Sequence, residues 1–229
     1  MHRILPAAAL LCTAAPALAV DRQYSVTDFD RVEVSGPYQV TLATGRPSSA
    51  IAKGPRDAIE RIEVAVQGGV LRIRPNASAW GSANAASGPI MIVLTTRTLR
   101  AATVNGAGRL DVDKARTMQL DVTVVGSGGA HIAGIETDSL RANLLGSGSL
   151  ELSGRAKTFR SELHGSGNLD AAQLKVDDAT IVGDSSGEAK VAVVRSAKVT
   201  ARGSGGVEIV GTPACTVTSL GAGRVICGK

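Results

Sequence analysis

Two sets of residues in this chain have the types and spacing to do chemistry. The first is a row of Asp111, His131, Glu151 and Asp170, each 19 or 20 residues beyond the last. Carboxylates flanking an imidazole can hold a metal ion or divide acid and base roles, provided that the fold brings them together. The second set is Cys215 and Cys227, twelve residues apart. Such a pair can close a disulfide or stand as two separate thiols. What either set can do depends on the elements that position it.

Those elements repeat. A small-residue turn followed by an alternating segment begins at Gly106, Gly126, Gly146, Gly165, Ser185, Gly203 and Gly221, at spacings of 20, 20, 19, 20, 18 and 18. A fixed period of this size marks a solenoid, whose units cannot bury an apolar face alone and must stack on their neighbours. Counted from the first turn residue, position five reads Leu110, Ala130, Leu150, Leu169, Ala189, Val207 and Val225. Position seven reads Val112, Ile132, Leu152, Ala171, Val191, Ile209 and Cys227. Between them, position six is Asp111, His131, Glu151, Asp170, Lys190, Glu208 and Ile226. Apolar, polar, apolar is the period of a strand with one buried face and one wet face. A second alternating strand precedes each turn, as in Ala102/Val104 and Val122/Val124. Two or three strands per unit of about 20 residues, with no helical period, predict an all-β parallel β-helix. The missing Leu and Asn spacing excludes leucine-rich repeats. Glycine at the corners suits turns with positive φ, serine can bond its own backbone, and no helix follows to make a phosphate loop.

The row of titratable residues therefore belongs to the outward side of a strand. Lys190 and Glu208 continue it with mixed signs, as expected of a solvated ladder that discourages slip and aggregation. We expect no catalytic, cofactor-binding or metal-binding residues from it, because an outward ladder on a convex sheet has no pocket. Calcium-binding glycine-aspartate repeats recur every nine residues with Asp in each turn, whereas position six is Asp in two copies here. Polysaccharide-cleaving β-helices need clustered acids and aromatic sugar platforms, and aromatics make up only 2 % of this chain.

Residues 1–19 read as a secretory signal peptide. Met1-His2-Arg3 precedes an apolar stretch that ends in Ala17-Leu18-Ala19, with Val20 as the new amino terminus. Cys12 could mark a lipoprotein, but Leu10 and Leu11 stand where small residues are wanted. The leader is too short for a stable span and no other apolar run reaches 18 residues, so a soluble, exported domain over 20–229 is expected, not a membrane-spanning one. Export favours a Cys215–Cys227 disulfide closing the last rung; two thiols in the core columns are the alternative.

Residues 20–100 lack the clean repeat and read as less regular amino-terminal rungs, with regular rungs over 101–229. Strand patterns run through 31–34, 38–42, 62–66, 71–74 and 90–94, separated by turns at Gly36-Pro37, Gly45-Arg46-Pro47 and Gly68-Gly69. One helical turn is expected within 55–62, and an exposed loop over 76–88 holds the only tryptophan, Trp80. Without the leader the net charge is +4, with basic residues scattered and no aromatic interleave. This argues against nucleic acid as a partner.

The segments FDRVEVSGPYQVTLATG (29–45), VAVQGGVLRIRP (64–75), GDSSGEAKV (183–191) and GSGGVEIVGTP (203–213), with the intervening GSG rungs, together resemble the DUF2807 family. That family is described as an autotransporter-adhesin head, or GIN, domain. The resemblance spans nearly the whole mature chain and implies a right-handed parallel β-helix exported to the bacterial envelope. It carries over no catalytic residues. Neither a heptad stalk nor a barrel segment follows the leader, so autotransport of this chain by itself is not expected. The function expected is a non-catalytic periplasmic or cell-surface binding module for an unknown glycan or protein ligand. A structural protein that self-associates as a homo-oligomer, and a glycan-active enzyme, are the alternatives.

Overall fold

The computed structural model describes residues 19–76 and 89–228. Residues 1–18 of the expected leader, and 77–88 of the expected loop with Trp80, lie outside the described residues. Strand makes up 72 % of the chain and helix 2 %, in a parallel β-solenoid of about six turns.

The amino-terminal elements are β1 (Ala19–Tyr24), β2 (Arg31–Ser35), β3 (Gln39–Thr44), β4 (Ser49–Pro55), α1 (Arg56–Ile59), β5 (Ile62–Gln67), β6 (Val70–Pro75) and β7 (Met91–Thr96). The regular part comprises β8 (Ala101–Gly106), β9 (Arg109–Val112), β10 (Ala115–Gly126), β11 (Gly129–Gly146), β12 (Ser149–Gly165) and β13 (Asn168–Ser185). It ends in β14 (Ala189–Ala201), β15 (Val207–Val210), β16 (Ala214–Ser219) and β17 (Val225–Cys227). Each regular rung turns through three sides. In β11 these are a strand after the glycine turn, a short segment past a register irregularity between Ile132 and Ile135, and the strand leading to the next turn.

Parallel register stacks like on like. Ile73, Val34, Val104, Val124, Leu144, Leu163, Gly183 and Ala201 follow one another across successive rungs and are all buried. Positions five and seven are buried in the first six copies, which gives the solenoid a continuous aliphatic interior. Phe159, the one aromatic residue of this interior among the regular rungs, sits between Leu140 and the small Ala179, so bulk in one layer is offset in the next.

The corner glycines differ from the sequence expectation. Among the seven repeated turns, positive φ occurs only at the first residue of the first four copies, as at Gly146 (φ 118°). The third turn residue needs glycine for another reason: a Cβ on Gly148 would overlap the Gly128 carbonyl oxygen of the rung before. That carbonyl accepts the Ser149 N–H at 3.1 Å, so close approach is what lets successive corners bond.

The amino-terminal rungs do not stack in chain order. The β2/β3 rung lies between the β6/β7 rung and the β8/β9 rung. Beyond it the chain turns antiparallel: β4 pairs with β7, β1 with β4, and β5 with β6. α1 rests against β4 and β1, burying Ala58 and Ile59. At the other end, among the described residues, no strand stacks on the last rung. β16 is exposed at all six residues and β17 is half-buried, so the apolar columns that sequence parity extends to Val217, Val225 and Cys227 are opened to solvent.

Candidate functional site

Register, not proximity in sequence, assembles the titratable row. Asp111 pairs with His131, His131 with Glu151, Glu151 with Asp170, Asp170 with Lys190 and Lys190 with Glu208. Each points outward because its neighbours at positions five and seven, such as Leu150 and Leu152, fill the interior. His131 Nδ1 lies 3.7 Å from Asp111 Oδ1. The same oxygen is 3.2 Å from Arg109 Nε, which donates a hydrogen bond to it. Further along, Lys190 Nζ stands 3.3 Å from Glu208 Oε2, and Asp170 Oδ1 accepts the Ala172 N–H at 3.0 Å. These side chains are partly exposed, so each pair contributes between zero and about 1 kcal/mol. A depression of about 100 Å³ between His131, Glu151 and Asp170 is open to solvent. Among the described residues no three His, Cys, Asp or Glu side chains converge on a position that could hold a metal ion.

The sequence reading missed the third side of the rungs. There Arg116, Glu136, Arg155 and Lys175 stand in register. Arg116 pairs with Glu136 at 3.0 Å and Lys157 with Asp138 at 2.7 Å. The hydrogen bond that the Lys157 ammonium donates to Asp138 holds it above the usual lysine range. An open hollow of about 620 Å³ lies at this corner, lined by Met118, Thr137, Arg155 and Lys157 among others. Thr137 Oγ1 serves the corner carbonyls of Met118 and Ser139, both at 3.1 Å. The signal was present in the sequence: residues 116, 136, 155 and 175 recur at the rung period. Lower on the same side, Asp178 accepts hydrogen bonds from Arg195 Nε at 3.1 Å and Ser196 Oγ at 2.7 Å. These bonds, Arg195 first, hold its carboxyl below the usual range.

Cys215 and Cys227 are brought together across the mouth of the last rung, with their sulfurs in contact and their Cα atoms 6.6 Å apart. That separation is within the span a disulfide bridges. Cys215 follows Ala197 in register and Cys227 follows Ile209, so both stand in inward columns. Among the described residues no rung lies beneath them, and Cys215 is exposed and Cys227 half-buried, unlike thiols sealed in a core.

A family model described as "Putative auto-transporter adhesin, head GIN domain", DUF2807, matches residues 28–213. The chain belongs to the DUF2807 family. Its fold recurs in a "putative adhesin" from Bacteroides fragilis, at TM-score 0.85 and 21 % identity, covering 93 % of this chain and 97 % of that one. A "putative lipid binding protein" from Parabacteroides distasonis superposes at TM-score 0.73 and 18 % identity, covering 92 % and 96 %. A "putative adhesin" from the same species gives 0.68 and 20 %, covering 92 % and 97 %. No curated protein matches the sequence. At these identities the likeness concerns the fold. Among the described residues of this DUF2807 chain, no helix is long and apolar enough to cross a membrane.

Proposed function

We propose that this DUF2807 chain is an exported, non-catalytic binding module of the bacterial envelope, with adhesin-like attachment to a surface glycan or protein. The observation that carries the reading is the division of the solenoid into a filled interior and functionalised outer sheets. Aliphatic side chains occupy the inside, as at Leu110, Ile132, Leu150 and Ile209. The titratable residues stand outside in ladders repeated at strand spacing. Such a surface suits an extended partner laid along it, while catalysis on a small substrate favours a concave site that excludes water. Membership of an adhesin-head family supports the same reading. Export also supports an oxidised Cys215–Cys227 pair, as a staple across the open end.

The test is a binding screen of the purified chain, without residues 1–19, against a glycan array and envelope fractions. Saturable binding with no change in the ligand is expected. Turnover of a glycan in the same samples would overturn the reading, as would the absence of binding to every fraction. If the Asp111–His131–Glu151 row is a surface ladder and not a metal site, changing all three residues to Ser leaves the fold nearly intact. Stoichiometric zinc or calcium binding by the parent chain, lost in that variant, would show it to be a metal site.

A further inference from the structure

Two cations of neighbouring rungs meet on the third side without a counter-ion. Arg155 of β12 is followed in register by Lys175 of β13, and both are exposed. Glu136, on the other flank of Arg155, turns to Arg116 at 3.0 Å, and Ala192 follows Lys175. Among the described residues neither the Arg155 nor the Lys175 side chain makes a hydrogen bond or an ion pair. Elsewhere two cations in register are each matched by an acid. Where Arg141 meets Arg160, Asp121 lies 4.0 Å from the first and Glu162 2.9 Å from the second.

Like charges directly opposite on paired strands destabilise a sheet. Strand spacing roots these two side chains about 4.8 Å apart, so their repulsion is a standing cost. Asp177, two residues along β13 from Lys175, bears on Lys157 and Arg195. Arg155 also lines the open hollow of about 620 Å³, whose other cation, Lys157, is held by Asp138 at 2.7 Å. Met118 lines the same hollow and is 79 % exposed, which gives the hollow an apolar surface beside its charges.

Resting on the reading of this chain as a binding module, we propose that Arg155 and Lys175 bind a carboxylate of an acidic polysaccharide, with the sugar ring in the hollow against Met118. Charge sets the sign of the ligand. A carboxylate between the two cations replaces their repulsion with charge-assisted hydrogen bonds, about twice as strong as neutral ones. The hollow sets its class. A sugar acid carries its carboxylate on a ring whose C–H face covers the Met118 thioether, whereas an acidic peptide carries it on a flexible stem. Because the hollow is open, a polymer lies across it without threading an end.

The experiment is calorimetric titration of the purified chain, without residues 1–19, with polygalacturonate, its methyl ester and poly-L-glutamate at low salt. Parent, Arg155→Gln, Lys175→Gln and the double variant are compared, with Arg160→Gln as a control on another side of the rung. Saturable binding of polygalacturonate alone is expected, weakened by added salt and unchanged in the control. The double variant should bind at least about ten-fold more weakly, since two contacts to a charged group are lost. Both single variants should keep the parent's melting temperature, because neither cation has a partner within the chain. Equal binding of the methyl ester or of poly-L-glutamate, binding that survives the double substitution, loss in the Arg160→Gln control, or a lower melting temperature in either single variant would each overturn the proposal. If the glycan array shows saturable binding while polygalacturonate does not bind, this assignment falls and the binding-module reading stands. Binding of nothing overturns both.

Discussion

Ser161 lies between Ala142 and Ile181 in an inward column of the solenoid, fully buried, with no hydrogen-bond partner for its hydroxyl. A buried hydroxyl that bonds nothing forfeits its hydration without return, and removing it restores an apolar surface. Ser161→Ala should therefore raise stability by about 1 kcal/mol. Denaturant midpoints of the two forms check this, and a lower midpoint for the alanine form would show that the hydroxyl has a role in the native state.

The glycines should divide into two kinds under alanine substitution. Gly148→Ala drives a methyl into the Gly128 carbonyl and against Val124, and should cost about 2 kcal/mol or prevent stacking at that corner. Gly183 is also buried, yet a Cβ there would meet nothing within 4 Å. Gly183→Ala should be neutral or stabilising by about 0.5 kcal/mol. Thermal melts of the pair decide, and equal losses would mean that the inner space at Gly183 is filled.

Inward and outward positions of neighbouring rungs should differ sharply in tolerance. Leu150→Asp buries an unpaired charge in the aliphatic column and should cost roughly 4 kcal/mol or more. Asp170→Asn keeps an oxygen for the Ala172 N–H and should change little. Comparable losses in a denaturant titration would overturn the register.

The staple across the last rung gives a mass and a stability signature. An unreduced sample should show the deficit of two hydrogens, and reduction should lower stability by roughly 3 kcal/mol in the chain-entropy account of a twelve-residue separation. Two free thiols in protein recovered from an oxidising compartment would refute the pairing.

Acid should weaken the Asp178 contact. Its carboxyl is held below the usual range in the folded chain, so its contribution is present above the unfolded aspartate value and is lost as pH falls through the depressed folded value. Denaturant midpoints of the parent should thus exceed those of Asp178→Asn near neutrality and converge with them in acid. A gap that widens on acidification would contradict the assignment.

Much of this architecture was legible in the chain. The period of the turns, the inward parity of Leu150 and Leu152, and the outward parity of Glu151 follow from alternation along a single strand, which local sequence writes directly. The stacking of Asp111 on His131 followed too, because equal rung lengths carry equal positions into register. What the chain did not disclose depends on which backbone edge meets which. β1 joins β4 antiparallel and β4 joins β7 antiparallel, and no repeat announces them. The placement of β2/β3 inside β6/β7 reverses chain order, since long-range pairing ignores sequence distance once the edges match. The sequence alone determined the rung, its buried columns and its outer ladder. The tertiary structure decided which members of those columns are buried: an alternating pattern continues through Val217 and Cys227, but a residue is buried only if another rung lies over it, and among the described residues none lies over these.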